Sequence, residues 1–233
     1  MIEIPYRNAL IIGAGFGISG SLARLLRSVG IPVVLAARNI DKLAPLVDET
    51  GAIALPVDAS DASQIERLFA ETEARIGAPE IVVYNASGRL RGPIAELDPV
   101  DVEKAVAVSA LGAFYTVQQA AKRMLPAGKG AILLTGATAG VKGFALSAPF
   151  AMGKFALRGL AQSAARELAP KGIHVAHVVV DGGVRAEHRP DPPDRPDSTL
   201  DPDAIAQSYI DLLRQHRSAW SWELEIRPWV EKF

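Results

Sequence analysis

Short apolar runs recur along this chain, each about one strand long, and they alternate with longer segments of helical period. That alternation limits the fold more than any other feature. The runs cover residues 9–12, 32–36, 53–57, 81–84, 131–134, 174–180 and 222–226. They show little polar alternation, as strands buried on both faces of a parallel sheet do. Ile65, Leu68, Phe69, Thr72 and Ile76 keep the three-to-four spacing of an amphipathic helix, with Asp61 or Ser63 placed to cap it. Residues 102–124 and 149–168 read as longer, alanine-rich helices. The alternation predicts an α/β fold: a doubly wound parallel sheet of about seven strands, with helices on both faces and right-handed crossovers.

A length of 233 residues suits a single domain spanning 1–233, and 49% hydrophobic residues supply a large core, which excludes disorder as the overall state. A net charge of −1 offers nothing to nucleic acid or to an acidic membrane. The absence of cysteine removes disulfides, thiolate catalysis and cysteine-ligated metals, and no metal site is expected. No secretory leader is visible, and the apolar runs fall far short of the ~20 residues a bilayer needs. A soluble, cytoplasmic protein is expected. One stretch breaks the pattern. Residues 187–203 are dense in proline and aspartate, so neither strand nor regular helix fits. The stretch follows the sixth strand, where an open sheet exposes its strand ends to ligand. It reads either as a flexible lid over a substrate or as an ordered surface connection.

Gly13-Ala14-Gly15-Phe16-Gly17-Ile18-Ser19 follows the first run and opens a helix. Glycines there permit a tight turn and a close approach of phosphate to backbone N–H groups, and the helix N-terminus favours negative charge. Gly13, Gly15, Phe16, Gly17 and Ile18 are therefore expected to bind a dinucleotide. At the end of the second strand the chain reads Leu35-Ala36-Ala37-Arg38-Asn39, with no carboxylate before Asp41. An acid at this place would select NAD(H) through the ribose 2′-hydroxyl. Arg38 suits the 2′-phosphate instead, so NADP(H) is preferred over NAD(H).

These segments, together with Pro56-Val57-Asp58-Ala59 and Tyr84-Asn85-Ala86-Ser87-Gly88, resemble the short-chain dehydrogenase/reductase family of Rossmann-type, NAD(P)-dependent oxidoreductases. Gly13 and Gly17 match the family's Gly-x-x-x-Gly-Ile-Gly, with Ser19 in place of the last glycine. Asn85 and Ala86 match its Asn-Asn-Ala-Gly, with Ser87 an extra residue before Gly88. The resemblance implies that Asp58 accepts from the adenine amine, and that Ala59, Asn85, Ala86, Gly182 and Val184 contact the cofactor. Its chemistry rests on an asparagine, a serine, a tyrosine that transfers the proton, and a lysine that binds the nicotinamide ribose. In this chain Ser109, Ala137, Phe150 and Lys154 stand at those positions. Phe150 and Lys154, four apart, share one helix face. A phenyl ring has no proton to give, so Lys154 and Ser109 are the catalytic candidates that remain. The family's Pro-Gly after strand six reads Asp181-Gly182, and Ala186 replaces the threonine that often holds the carboxamide.

Thr135, Thr138, Ser147, Tyr84, Tyr115 and His188 are further sources of a proton, and for each a structural role competes. Three functions fit this sequence: an NADP(H)-dependent oxidoreductase of unusual mechanism, a reductase of an activated C=C bond, or a silent NADP(H)-binding sensor or partner subunit. The substrate is a small molecule of unknown identity. The resemblance also implies a homo-dimer or homo-tetramer built from helices 102–124 and 149–168. Ala113, Ala120, Ala121, Ala161, Ala164 and Ala165 either let such helices approach closely or pack on the protein's own sheet.

Overall fold

The structure, a computed structural model, describes residues 3–232. Seven parallel strands form one sheet: β1 (Ala9–Ile12), β2 (Val33–Ala37), β3 (Ile53–Pro56), β4 (Ile81–Tyr84), β5 (Gly130–Thr135), β6 (Ile173–Val180) and β7 (Glu223–Ile226). The helices are α1 (Ile18–Ser28), α2 (Ala44–Thr50), α3 (Ala62–Ile76), α4 (Pro99–Val106), α5 (Gly112–Met124), α6 (Ala148–Leu168) and α7 (Pro202–Leu213). The pleat sends alternate side chains of each strand to opposite faces. On β1, Ala9 and Ile11 join one core with Leu22 and Leu26 of α1 and Ile205 and Tyr209 of α7. Leu10 and Ile12 join the other, with Phe69 of α3, Val117 of α5 and Leu157 of α6. Both faces are covered, which is why the strands carry no polar alternation.

The strand order is β3-β2-β1-β4-β5-β6-β7. The chain therefore builds outward from β1 in one direction and restarts from β4 in the other. A crevice opens at the carboxyl ends where the direction reverses. Gly13 and Asn85 leave the sheet at that point, their N–H groups donating to the Ala36 and Ile12 carbonyls at 2.9 and 2.8 Å.

Local signals hold where a specific side chain enforces them. Asp61 is the N-cap of α3, its carboxylate accepting from Ser63 N at 2.8 Å and Gln64 N at 3.1 Å. Such a cap contributes about 1 kcal/mol.

The long helix expected over 102–124 is corrected in two ways. It begins earlier, at Pro99 behind the Asp98 cap, and it is not one α-helix. Residues Ala107–Leu111 form a π-turn, in which the Gly112 N–H reaches back to the Ala107 carbonyl. The widened turn presents the Val108 carbonyl to the buried Tyr84 hydroxyl, which donates to it. Helix α6 crosses this turn closely, since a Cβ on Gly153 would lie 2.5 Å from the Ser109 Cβ.

A second correction concerns the alanines. Ala113, Ala120, Ala161, Ala164 and Ala165 are buried in the core beneath the sheet, and Ala121 packs against it. They close the protein's own interior rather than offering a surface. The outward side of α5 and α6 instead presents Phe114, Met152 and Phe155, each about half exposed, beside Leu111 of the π-turn.

The 187–203 stretch forms an ordered connection. Val184 bridges Leu200, and Ala186 bridges Arg189. Asp191 pins the far side: one carboxylate oxygen accepts from Thr199 N at 2.8 Å and Thr199 Oγ1 at 2.5 Å, the other from Asp197 N at 2.9 Å. Among the described residues, no helix is long and apolar enough to cross a membrane.

Candidate active site

Two cavities run together along the carboxyl edge of the sheet. The larger, about 840 Å³, follows the β1 and β2 ends and is lined by Gly13, Gly15, Gly17, Ile18, Arg38, Asp58, Ala59, Asn85, Ala86 and Val184. The second, about 460 Å³, lies over the β5 and β6 ends and takes in Ala137, Phe150, Lys154 and Gly182. Gly17, Ile18, Asn85, Ser87, Arg89 and Val184 line both.

The glycine loop is shaped by two different demands. Gly13 has φ +83°, and a Cβ there would lie 2.3 Å from the Ala86 N, so the turn needs glycine for conformation and for clearance. Gly15 and Gly17 are the opposite case: a Cβ on either would meet nothing within 4 Å. Gly17 is the N-cap of α1 without a side-chain bond, and the first turn holds no acid. The helix thus brings unpaired N–H groups and positive dipole to open space. The loop is tied to the β4 end through Asn85, whose Nδ2 donates to Ser19 Oγ at 2.8 Å, while that hydroxyl donates to the Gly13 carbonyl at 3.2 Å. The buried Ser87 hydroxyl finds no hydrogen-bond partner among the described residues.

On the far wall, Arg38 is exposed and faces Asp58. The Ser60 hydroxyl, at 2.6 Å, holds the Asp58 carboxyl below its ordinary range, helped by the Ser60 N–H and the Arg38 charge and opposed by burial. The Phe16 side chain is 51% exposed and lines neither cavity, so only its backbone belongs to the loop.

In the smaller cavity Lys154 is 3% exposed and its Nζ donates to the Thr135 carbonyl at 2.7 Å. Burial, and then the Arg89 charge, push its pKa from 10.5 down to about 7. The Phe150 ring lies beside it, with its centroid 5.9 Å from Nζ. Arg89 covers the same ring at 5.3 Å. Ala137, Ala139 and Phe144 complete an apolar floor, and Thr138 and Ser147 add hydroxyls at its rim.

The other proton sources separate cleanly. Tyr84 is spent on Val108 and raised by burial above the ordinary phenol range, and Tyr115 packs against the core. The Thr135 hydroxyl bonds that of the buried Tyr209 at 2.7 Å. His188 lines the cavity from the outer loop. Ser109 is fully buried; it accepts from Gly88 N at 3.0 Å and reaches neither cavity. Its hydroxyl ties the Gly88 loop to the π-turn. Asp181 is also turned away, 3.5 Å from Arg227.

Sequence reading did not find Arg89, Arg91 and Arg189, which all line the smaller cavity. The available signal was the extra Ser87, which lengthens the loop after β4 just before Arg89.

Comparison with known proteins agrees with this arrangement. Residues 7–192 match the short chain dehydrogenase family. An uncharacterized oxidoreductase of Staphylococcus aureus is 28% identical, across 98% of this chain and all of its own. The crystal structure of a short-chain dehydrogenase from Rhodopseudomonas palustris is 34% identical, covering 96% of this chain and 99% of that one, with a TM-score of 0.83. A metagenomic short-chain oxidoreductase, solved in complex with NADP, is 29% identical over 95% of this chain and 97% of its own, with a TM-score of 0.82. With the family's match running from the first strand through the glycine cradle to the loop beyond β6, this chain belongs to the short-chain dehydrogenase family.

Proposed function

We propose that the protein is an NADP(H)-dependent oxidoreductase that lacks the hydroxyl pair its family uses to move the proton. The observation that carries the cofactor is the open cradle: Gly15 and Gly17 face empty space at the uncapped start of α1, with Arg38 on the adjoining wall. The relative solved with NADP supports the same choice. Backbone N–H groups of the loop would hold the pyrophosphate, Ser87 would find its missing partner, and Arg38 would pair with the 2′-phosphate. Asp58 has one carboxylate oxygen engaged by Ser60, leaving the other to accept from adenine. When bound, the cofactor supplies or takes a hydride.

The protein's own residues must then manage the proton. Ala137 and Phe150 stand where the family places serine and tyrosine, so neither donates. Lys154 is the group best suited. It lines the cavity, and a pKa near 7 lets it hold or release a proton at Nζ around neutrality. Phe150 and Ala137 give it apolar neighbours in the cavity wall. The apolar floor also supports a second reading, reduction of an activated C=C bond, since hydride accepted at carbon needs no hydroxyl to polarise an oxygen. A homo-oligomer joined through Leu111, Phe114, Met152 and Phe155 is part of the proposal, because these side chains form an exposed apolar face on adjoining elements.

Fluorescence titration tests the cofactor. NADPH is expected to bind at least tenfold more tightly than NADH, and Arg38→Ala to remove most of that preference, about 1.5 kcal/mol for one hydrogen bond to a charged group. Equal affinities in the wild type refute the choice of NADP(H). Binding without turnover across carbonyl and enoyl substrates points to a sensor or partner subunit instead.

A further inference from the structure

The smaller cavity has an unusual charge balance. Arg89, Arg91, Arg185, Arg189 and Lys154 all line it, and among the described residues no carboxylate does. The nearby acids are already paired, three of them with the lining residue Arg185. Asp191, Asp197 and Asp201 gather on Arg185, at 3.3 and 3.7 Å for the first two, and Asp181 faces Arg227. Arg185 is therefore neutralised within the loop, whereas Arg89, Arg91 and Arg189 make no ion pair with a described residue. For a chain whose net charge is −1, a ligand cavity lined by cations alone is a local choice, not a reflection of composition.

Two separate loops bring these guanidinium groups together. The segment after β4 carries Arg89 and Arg91 and is fixed by the Gly92 N–H, which donates to the Leu146 carbonyl at 3.1 Å. The segment after β6 carries Arg189, whose side chain lies along Gly183: a Cβ there would sit 3.2 Å from the Arg189 Cδ. Beneath them lie the rings of Phe144 and Phe150. Like charges converging on one water-filled space repel one another, and an anion relieves that repulsion. Guanidinium groups also bind carboxylate and phosphate through paired N–H donors.

We infer that the substrate is an organic anion, with a carboxylate or phosphate held by Arg89, Arg91 and Arg189 and an apolar body resting on Phe144 and Phe150. This inference rests on the reading of the smaller cavity as the substrate site. The position of the charge follows from the architecture: the arginines stand at the mouth and Lys154 at the floor, so the anion anchors outside and the reacting group lies inside. The same anion would offset the Arg89 charge that now disfavours protonated Lys154, so ligand and proton would enter together.

Calorimetry on the NADPH-loaded protein, with 3-phenylpropanoate, phenyl phosphate and neutral 3-phenylpropanamide as probes, tests this. At least one anion is expected to bind roughly tenfold to a hundredfold more tightly than the amide, as one or two charged hydrogen bonds require. Which anion is preferred identifies carboxylate or phosphate as the group recognised. The double variant Arg91→Gln, Arg189→Gln is expected to abolish the preference while NADPH affinity stays within about twofold. Should that variant fold poorly, added salt gives the same reading on the wild type, weakening the anions and leaving the amide unchanged. Equal binding of amide and anions, no binding of either anion at millimolar concentration, or an anion preference that survives the variant overturns the inference. NADPH binding is titrated first and alone. Its failure counts against the proposed cofactor, and the probes are then compared on the protein without nucleotide, so the two ideas fall separately.

Discussion

Replacing Lys154 with methionine isolates what a buried amine costs this fold. The Lys154 pKa falls from 10.5 to about 7 on folding, through burial first and the Arg89 charge second. Between those values the unfolded chain binds a proton that the folded protein does not, so wild-type stability rises with pH across that window. Below pH 7 both states are protonated, and the buried charge costs its full amount. The slope approaches ~1.4 kcal/mol per pH unit, or about 5 kcal/mol over the whole window as an upper bound. Lys154→Met removes the slope and nothing else that titrates there. It also leaves the Thr135 carbonyl without the donor now at 2.7 Å, a loss of about 1–3 kcal/mol that does not vary with pH. Urea unfolding of both proteins at pH 6, 7, 8 and 9, free of added nucleotide, separates the two effects. The variant's stability relative to wild type is expected to decline by ~2–3 kcal/mol from pH 7 to pH 9 and to change little from pH 6 to pH 7. Parallel curves across the whole range would mean that Lys154 keeps its charge at neutral pH. Its proposed part in proton transfer would then have no basis.

Two other outcomes follow from the same geometry. Phe150→Tyr combined with Ala137→Ser places two hydroxyls in the cavity that Lys154 lines, so on the proposed function alcohol or ketone turnover with NADP(H) should rise by ~10²-fold or more, as a general acid supplies; steady-state rates no better than wild type would show that a missing hydroxyl pair is not the defect. Phe114→Glu places a charge on the exposed apolar face of α5 and should shift the mass seen by light scattering toward the monomer at micromolar concentration, whereas an unchanged oligomer would place the interface elsewhere.

Most of the fold was legible because each strand is an uninterrupted apolar run. A strand covered on both faces has no polar position to blur its limits, and β1 and β4 fall at residues 9–12 and 81–84 as the pattern predicts. The glycine turn after β1 was legible for a related reason: Gly13 cannot be another residue at φ +83° against Ala86, so the demand is written at one position. The π-turn was not legible. It accompanies the Tyr84 hydroxyl bond to the Val108 carbonyl, a partner 24 residues away that leaves no mark in the helical period. The alanines left two readings open because small residues serve equally well against a sheet and between helices, and periodicity counts them the same way. For Ser109, resemblance fixes a position in the chain but not a rotamer, and its hydroxyl accepts from Gly88 N.

The cationic rim was hidden because two loops contribute to it, one after β4 and one after β6, and only the fold sets them face to face. Its chemistry bears on how the proposed oxidoreductase would work with Phe150 beside Lys154. An apolar floor alone would leave Lys154 largely neutral at physiological pH, with Arg89 adding to that pressure. An anion at the mouth would offset part of the positive field, so a protonated Lys154 would be less unfavourable once the substrate is seated. The proton would then be supplied when the hydride acceptor is in place and withheld when the cavity holds water. On that account Phe150 has a use beyond the loss of a hydroxyl. Its ring centroid lies 5.3 Å from the Arg89 guanidinium carbon and 5.9 Å from Lys154 Nζ, so the ring touches both groups on which a seated anion would draw.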